Sequence, residues 1–165
     1  TTTGDCAIAL VNDAGVTIDE VHLGDANGAY AQGSLGGKFR GLVTQTLTGA
    51  ELREIVGFSL LTGIGGRVSP LEVSGLTARF RLVERDGKQA VEWLAFDVGG
   101  QPLDDAKPYR VALNSFLAGG GDGYKQLTKP DAKDTGVLVR DVLGDALAKA
   151  GTYTPDRASR LVEVK

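Results

Sequence analysis

Two runs of alternating apolar and polar residues, Leu71 to Val83 and Ala90 to Phe96, flank Arg85-Asp86-Gly87-Lys88. Asp-Gly between such runs is a favoured connection of a tight β-hairpin, because the turn needs positive φ at both central residues. A long hairpin in mid-chain contradicts the regular strand-helix alternation of a doubly wound parallel sheet. The first run contains Gly75, and the pattern predicts one long or bulged strand around it.

Other elements follow from the same rules. Cys6 to Val11 is a continuous apolar run ended by Asn12-Asp13-Ala14-Gly15, the pattern of a strand buried on both faces and followed by a turn. Leu23 to Gly37 shows little periodicity and is assigned to a long surface loop, and Arg40 to Leu47 alternates as a strand. Thr48-Gly49-Ala50-Glu51 puts Thr at an N-cap with Glu three residues on, the reciprocal pair that satisfies free N–H groups at a helix start. Leu52, Ile55, Val56 and Leu60 continue at helical spacing to about Leu61, and Gly63 to Gly66 stops the helix. Val98-Gly99-Gly100-Gln101-Pro102 reads as a turn, Asp104 and Asp105 as turn residues, and Tyr109 to Leu113 as a strand; Trp93 is expected to pack in the core. Val137, Leu138, Val142, Leu143, Ala146 and Leu147 form an amphipathic helical stripe, with Asp134 or Thr135 as its cap and Gly151 at its end. Arg160 to Val164 supplies a last short strand. The economical architecture is a single α+β domain over residues 1–165, with a mixed β-sheet, a long hairpin and packed helices.

Several function classes are argued against. The formal charge of −3 offers no electrostatic footprint for DNA. No run approaches the roughly 18 to 20 apolar residues of a membrane-spanning helix. Cys6 is the only cysteine, which rules out an intrachain disulfide and a thiolate metal cluster and reads as a small buried hydrophobe. His22 is the only histidine, too few for a His-rich dinuclear centre, and its setting reads as surface. There is no Ser-His or Cys-His set and no carboxylate cluster at metal-binding spacing, so an autonomous hydrolase is the least favoured reading and no catalytic residue is assigned. The opening Thr1-Thr2-Thr3, without Met, suggests a processed or excised segment.

The most informative stretch is Leu113-Asn114-Ser115-Phe116-Leu117-Ala118-Gly119-Gly120-Gly121-Asp122-Gly123-Tyr124, directly after a strand. Three successive glycines are expected to leave backbone N–H groups bare to solvent or ligand. Phe116 supplies a flat apolar face and Asp122 supplies acceptor oxygens, the combination a nucleoside requires: the base stacks and the ribose hydroxyls donate. The alternative is that Phe116 is a core residue and Asp122 orders its own turn. A phosphate loop is not matched, since neither the Gly-Lys-Ser/Thr ending nor G-x-G-x-x-G before a helix is present.

Asn114 to Tyr124 closely resembles the carboxy-terminal signature of the 5′-nucleotidase and UDP-sugar hydrolase family. Val11 to Gly15, Leu47 to Leu52, Leu71 to Leu76, Pro102 to Asp104 and Thr135 to Leu138 agree in the same order, so the resemblance spans nearly the whole chain. It implies a two-domain extracytoplasmic hydrolase (periplasmic, cell-surface or secreted). A divalent metal pair and a His-Asp pair would sit in an amino-terminal domain missing from this chain. The carboxy-terminal domain grips the nucleoside or nucleotide, with the base between two aromatic rings. Phe116 corresponds to one ring and Asp122 to the ribose-binding carboxylate, with Asn114, Gly120 and Gly121 in the same signature. Where relatives have Asn-Gly-Gly-Gly-Ile-Arg, this chain reads Asn12-Asp13-Ala14-Gly15-Val16-Thr17, and a Thr hydroxyl cannot replace a bidentate guanidinium. Where relatives have Phe-Gly-Asn, it reads Lys38-Phe39-Arg40, so Phe39 is a displaced candidate for the second ring and Arg40 or Lys38 a candidate for the missing charge. The resemblance thus implies a substrate-recognition domain, without cofactor of its own, working beside an amino-terminal metallophosphoesterase domain or separate chain. The competing expectation is a degenerate member that serves as a structural or protein-interaction module of the cell envelope.

Overall fold

The computed structural model describes residues 8–12, 41–64, 71–152 and 158–165. In chain order these form β1 (Ile8–Asn12), β2 (Gly41–Thr48), helix α1 (Gly49–Ile64), β3 (Leu71–Ser74), β4 (Leu76–Arg85), β5 (Lys88–Val98), β6 (Gln101–Pro102), β7 (Pro108–Asn114), the short helix α2 (Ser115–Ala118), β8 (Lys133–Leu138), helix α3 (Val139–Ala150) and β9 (Leu161–Glu163). Single 3-10 turns lie at Gly121–Gly123 and Lys125–Leu127. Cys6, Thr17, His22, the segment 23–37, Lys38, Phe39 and Arg40 lie outside the described residues.

The hairpin forms as its turn dictates. Arg85 pairs with Lys88, and Asp86 and Gly87 take φ of 53° and 72°. The strands are divided between two sheets, ordered β3-β1-β7-β2-β8 and β6-β5-β4-β9. β1 runs parallel to β7 and β9 parallel to β4, while the other pairs are antiparallel, giving the mixed α+β architecture expected. One expectation fails: Leu71 to Val83 is not a single bulged strand. At Gly75, φ 82°, the chain leaves the first sheet, where β3 pairs with β1, and enters the second, where β4 pairs with β5. The buried positions slip by one residue there, from Leu71 and Val73 to Leu76, Ala78 and Phe80. A left-handed glycine absorbs that slip without the Cβ clash another residue would meet.

Both sheets share one core with α1. Leu52, Ile55 and Val56 from the helix meet Val43, Leu47, Tyr109, Val111 and Leu113 from the first sheet and Leu76, Ala78, Phe96 and Val98 from the second. Trp93 is half-buried against this core, edge-on to Phe96 at 5.1 Å. Gln45 interrupts the apolar face. It shares the side of β2 that carries Val43 and Leu47, is 2% exposed, and neither amide atom has a hydrogen-bond partner among the described residues.

The start of α1 realises the capping box. Thr48 N–H donates to Glu51 Oε2 at 2.9 Å and Glu51 N–H to Thr48 Oγ1 at 3.3 Å, and Lys129 Nζ pairs with Glu51 Oε1. Partial burial acts to raise the Glu51 carboxyl. The Lys129 hydrogen bond, the Thr48 N–H, the Lys129 charge and the Thr48 hydroxyl outweigh it and hold the carboxyl below its ordinary range. Gly49 must be glycine: a Cβ there would lie 2.1 Å from the Asp104 carbonyl oxygen. This close approach lets Gly49 and Ala50 N–H donate to Lys107 O at 3.1 Å and Asp105 O at 3.0 Å. Arg53 Nη2 meets Asp105 at 2.9 Å, and Asp104 Oδ1 accepts from Ala106 N–H at 3.0 Å. Both aspartates are therefore turn residues, as expected.

A second correction concerns Asp134 and Thr135. They do not cap α3 but belong to β8, and the residue at the α3 N-cap, Leu138, makes no side-chain cap. Thr135 Oγ1 instead donates to Leu42 O at 2.7 Å, because the segment pairs with β2 before the helix begins. Gly151, φ 69°, ends α3 as expected.

Candidate functional site

Strand directions gather the informative segments at one end of the first sheet. β1 and β7 are parallel neighbours, Leu10 opposite Leu113, so their carboxyl ends lie together. β2 is antiparallel to β7, which sets Leu42 opposite Asn114, and β8 is antiparallel to β2, which sets Leu138 opposite Gly41. The exits of β1, β7 and β8 and the entry of β2 thus share one edge, at the carboxyl ends of two parallel strands. Phe39 and Arg40 lie outside the described residues.

The turn after β7 is built residue by residue. Asn114 is 7% exposed and extended, and its Oδ1 accepts from Leu117 N–H at 2.9 Å, capping α2. That oxygen is therefore engaged in shaping the turn. Leu117 is fully buried and pins α2 to the core. The expectation that three glycine N–H groups are bare does not hold, because Gly119 N–H donates to Ser115 O at 3.1 Å and Gly120 N–H to Leu117 O at 2.9 Å, closing the short helix. Gly120, φ 82°, then reverses the chain, and a Cβ on it would meet Thr128 Oγ1 at 3.0 Å.

Gly121 makes room for the ring of Phe116. A Cβ at residue 121 would lie 2.4, 2.5 and 2.6 Å from three of its ring carbons. Phe116 is half-buried and, among the described residues, is not part of the core cluster or of the residues packed against it. Asp122 follows with φ 53° and ψ 23°, the left-handed region that Asp tolerates better than most residues with a Cβ, as Asp86 does in the hairpin turn. Behind it Tyr124 is fully buried, edge-on to Phe58 at 5.1 Å. Burial raises the Tyr124 phenol above its usual range and the Asp122 charge adds to this, and the phenol oxygen has no hydrogen-bond partner among the described residues. Tyr124 is an anchor for the turn and stays protonated at neutral pH.

Sequence reasoning missed the part of β8 in this region. A Cβ on Gly41 would lie 3.6 Å from both Ser115 Oγ and Asp134 Oδ1, so β8 borders the turn after β7. The only signal was the Thr135-Gly136 pair, which also fits a helix cap. A groove of roughly 540 Å³ between α1 and β5, lined by Phe58, Leu61, Val91 and Trp93 among others, includes neither Phe116 nor Asp122. Among the described residues no three His, Cys, Asp or Glu gather as a metal site requires, so no step through a metal is assigned to them. Among the described residues, one ring and one carboxylate are thus brought into the same turn.

Residues 1–129 match the family model described as 5′-nucleotidase, C-terminal domain. A snake venom 5′-nucleotidase of Naja atra is 32% identical over 123 residues, covering 70% of this chain and 23% of that protein. The trifunctional nucleotide phosphoesterase protein YfkN of Bacillus subtilis is 28% identical over 169 aligned positions, 95% of this chain and 11% of that protein. The chain therefore spans a quarter or less of the length of these relatives. Among solved structures, a 5′-nucleotidase precursor from Thermus thermophilus matches with a TM-score of 0.76 at 24% identity, over 99% of this chain and 32% of that one.

Proposed function

The chain belongs to the 5′-nucleotidase carboxy-terminal domain family, and on that premise we propose that it is the nucleoside- or nucleotide-recognition part of a 5′-nucleotidase-type metallophosphoesterase, not catalytic alone. The observation that carries this reading is the Phe116 ring, held over Gly121 outside the core and followed by the left-handed Asp122. A base stacked on the ring gains roughly 1 to 3 kcal/mol, and the carboxylate accepts from ribose hydroxyls. Asn114 and Gly120 shape the turn, Gly121 seats the ring, and Phe39 and Arg40 are the proposed second ring and replacement charge. The divalent metal pair and the catalytic groups are supplied by an amino-terminal domain or a separate chain. The working compartment is extracytoplasmic, in keeping with the venom protein among the relatives. No helix among the described residues is long and apolar enough to cross a membrane.

Titrating adenosine into the isotope-labelled chain tests the reading. Amide shifts are expected at Phe116, Asp122 and Gly119 to Gly121, with a dissociation constant of about 1 mM, because one stacked base and one charge-assisted ribose bond together supply about 4 kcal/mol. AMP with manganese should not be hydrolysed by the chain alone. Silence at all of these amides, or turnover that copurifies with the chain, refutes the proposal.

A further inference from the structure

The ladder between β2 and β8 breaks step at the entry of β2. Val43 faces Asp134 and Gly41 faces Leu138, so Leu42 alone stands opposite Thr135, Gly136 and Val137. Gly136, φ 69°, accommodates the extra length. The Thr135 hydroxyl bridges the break from both sides: it donates to Leu42 O at 2.7 Å and accepts from Val137 N–H at 3.2 Å. Leu42 lies opposite Asn114, the cap of α2, and a Cβ built on its neighbour Gly41 would come within 3.5 Å of Ser115 Cβ. A continuous path of hydrogen bonding and strand pairing therefore runs from Thr135 through Leu42 to Asn114 and on along the chain to Ser115 and Phe116.

We propose that the Thr135 hydroxyl is a positioning group for the nucleoside site: it fixes the entry of β2 against the exit of β7 and so sets the attitude of the Phe116 ring. The inference rests on the reading of Phe116 and Asp122 as ligand contacts, and it gives β8, which carries no proposed contact of its own, control over their geometry. The hydroxyl is the operative part. Valine has nearly the same shape but leaves the Leu42 carbonyl and the Val137 N–H unmatched, whereas serine retains both bonds.

Thr135→Val and Thr135→Ser in the isotope-labelled chain provide the test, each read as ligand-free amide shifts and as adenosine affinity, with urea midpoints recorded alongside. Thr135→Val should move the Ser115 and Phe116 amides and weaken adenosine about three- to tenfold, the scale of one net hydrogen bond. Thr135→Ser should stay close to the unsubstituted chain in both. Unmoved Ser115 and Phe116 amides in Thr135→Val, or equal losses in both variants, overturn the proposal. If Thr135→Val does not fold, Thr135→Ala takes its place in the same comparison. If adenosine fails to bind the unsubstituted chain while the valine-specific shifts are present, the nucleoside reading falls and the coupling of Thr135 to Phe116 stands.

Discussion

Substituting Gly121 by alanine adds one methyl group at the point the Phe116 ring now occupies. The new carbon would stand 2.4 to 2.6 Å from three ring atoms, whereas carbon atoms in contact sit about 3.5 to 4.0 Å apart. The ring must therefore retreat by about 1 Å or more. Gly121 is not among the glycines with positive φ, so the backbone accepts alanine and the conflict falls on a side chain that can move. Because Phe116 lies outside the core cluster of the described residues, its displacement should cost about 1 kcal/mol of stability, the low end of the roughly 1 to 3 kcal/mol typical of overpacking. Stacking is worth roughly 1 to 3 kcal/mol, so adenosine affinity should fall about tenfold or more. NMR titration gives the affinity, and urea unfolding of the same samples gives the stability. Unchanged adenosine binding would show that the ring does not meet the ligand. A loss well above about 3 kcal/mol, beyond the usual range for overpacking, would show that the ring is locked in place as a core residue after all.

Other consequences follow from the fold. Thr48→Ala should lower stability by roughly 0.5 to 2 kcal/mol through loss of the α1 cap, read as a shift in urea midpoint. Glu51, with its carboxyl held below the ordinary range, contributes stability that is present above the unfolded-state value and lost as pH falls through the folded one; Glu51→Gln should flatten the acid limb of midpoint against pH, and an unchanged limb would disprove the link. Gly49→Ala should cost more than about 2 kcal/mol, since the methyl meets the Asp104 backbone rather than a movable side chain, and an unaltered melting temperature would contradict the close approach. Gln45→Leu should stabilise the protein by about 1 to 3 kcal/mol, because it removes a buried amide without partners among the described residues, and a lower urea midpoint would argue against this.

Local rules were legible where one short segment settles its own geometry. Asp86-Gly87 selects its turn, and Thr48 with Glu51 satisfies a helix start from within four residues. The division into two sheets depends on partners distant in sequence, although the slip in alternation at Gly75 was visible in the order of residues. Asp134 and Thr135 were misread because a short polar side chain before an apolar run suits a helix cap and a strand irregularity equally well. Phe116 and Asp122 could be singled out from their signature. The packing of the ring on Gly121 could not, since it needs the chain reversal at Gly120 to bring residues five apart into contact. The hydrogen bonds of the Gly119 and Gly120 N–H groups were hidden for a similar reason, because α2 is only four residues long and leaves no periodic trace.

β7 is bonded to β1 on one side and to β2 on the other, so the five-stranded sheet has no centre until residues 108–114 exist. During synthesis the β4–β5 hairpin can close as soon as it emerges, while β1, which β3 can join without it, and β2 wait for a strand made long after them. Such a chain should gain its first structure early and its principal sheet late, a high-contact-order route that is slow and leaves strand edges open in the interval. Fragments ending before Asn114 should therefore aggregate rather than fold, while the isolated hairpin behaves as a short local element. For an expressed protein, yield should depend less on its final stability than on how quickly β7 finds its place between two strands already waiting.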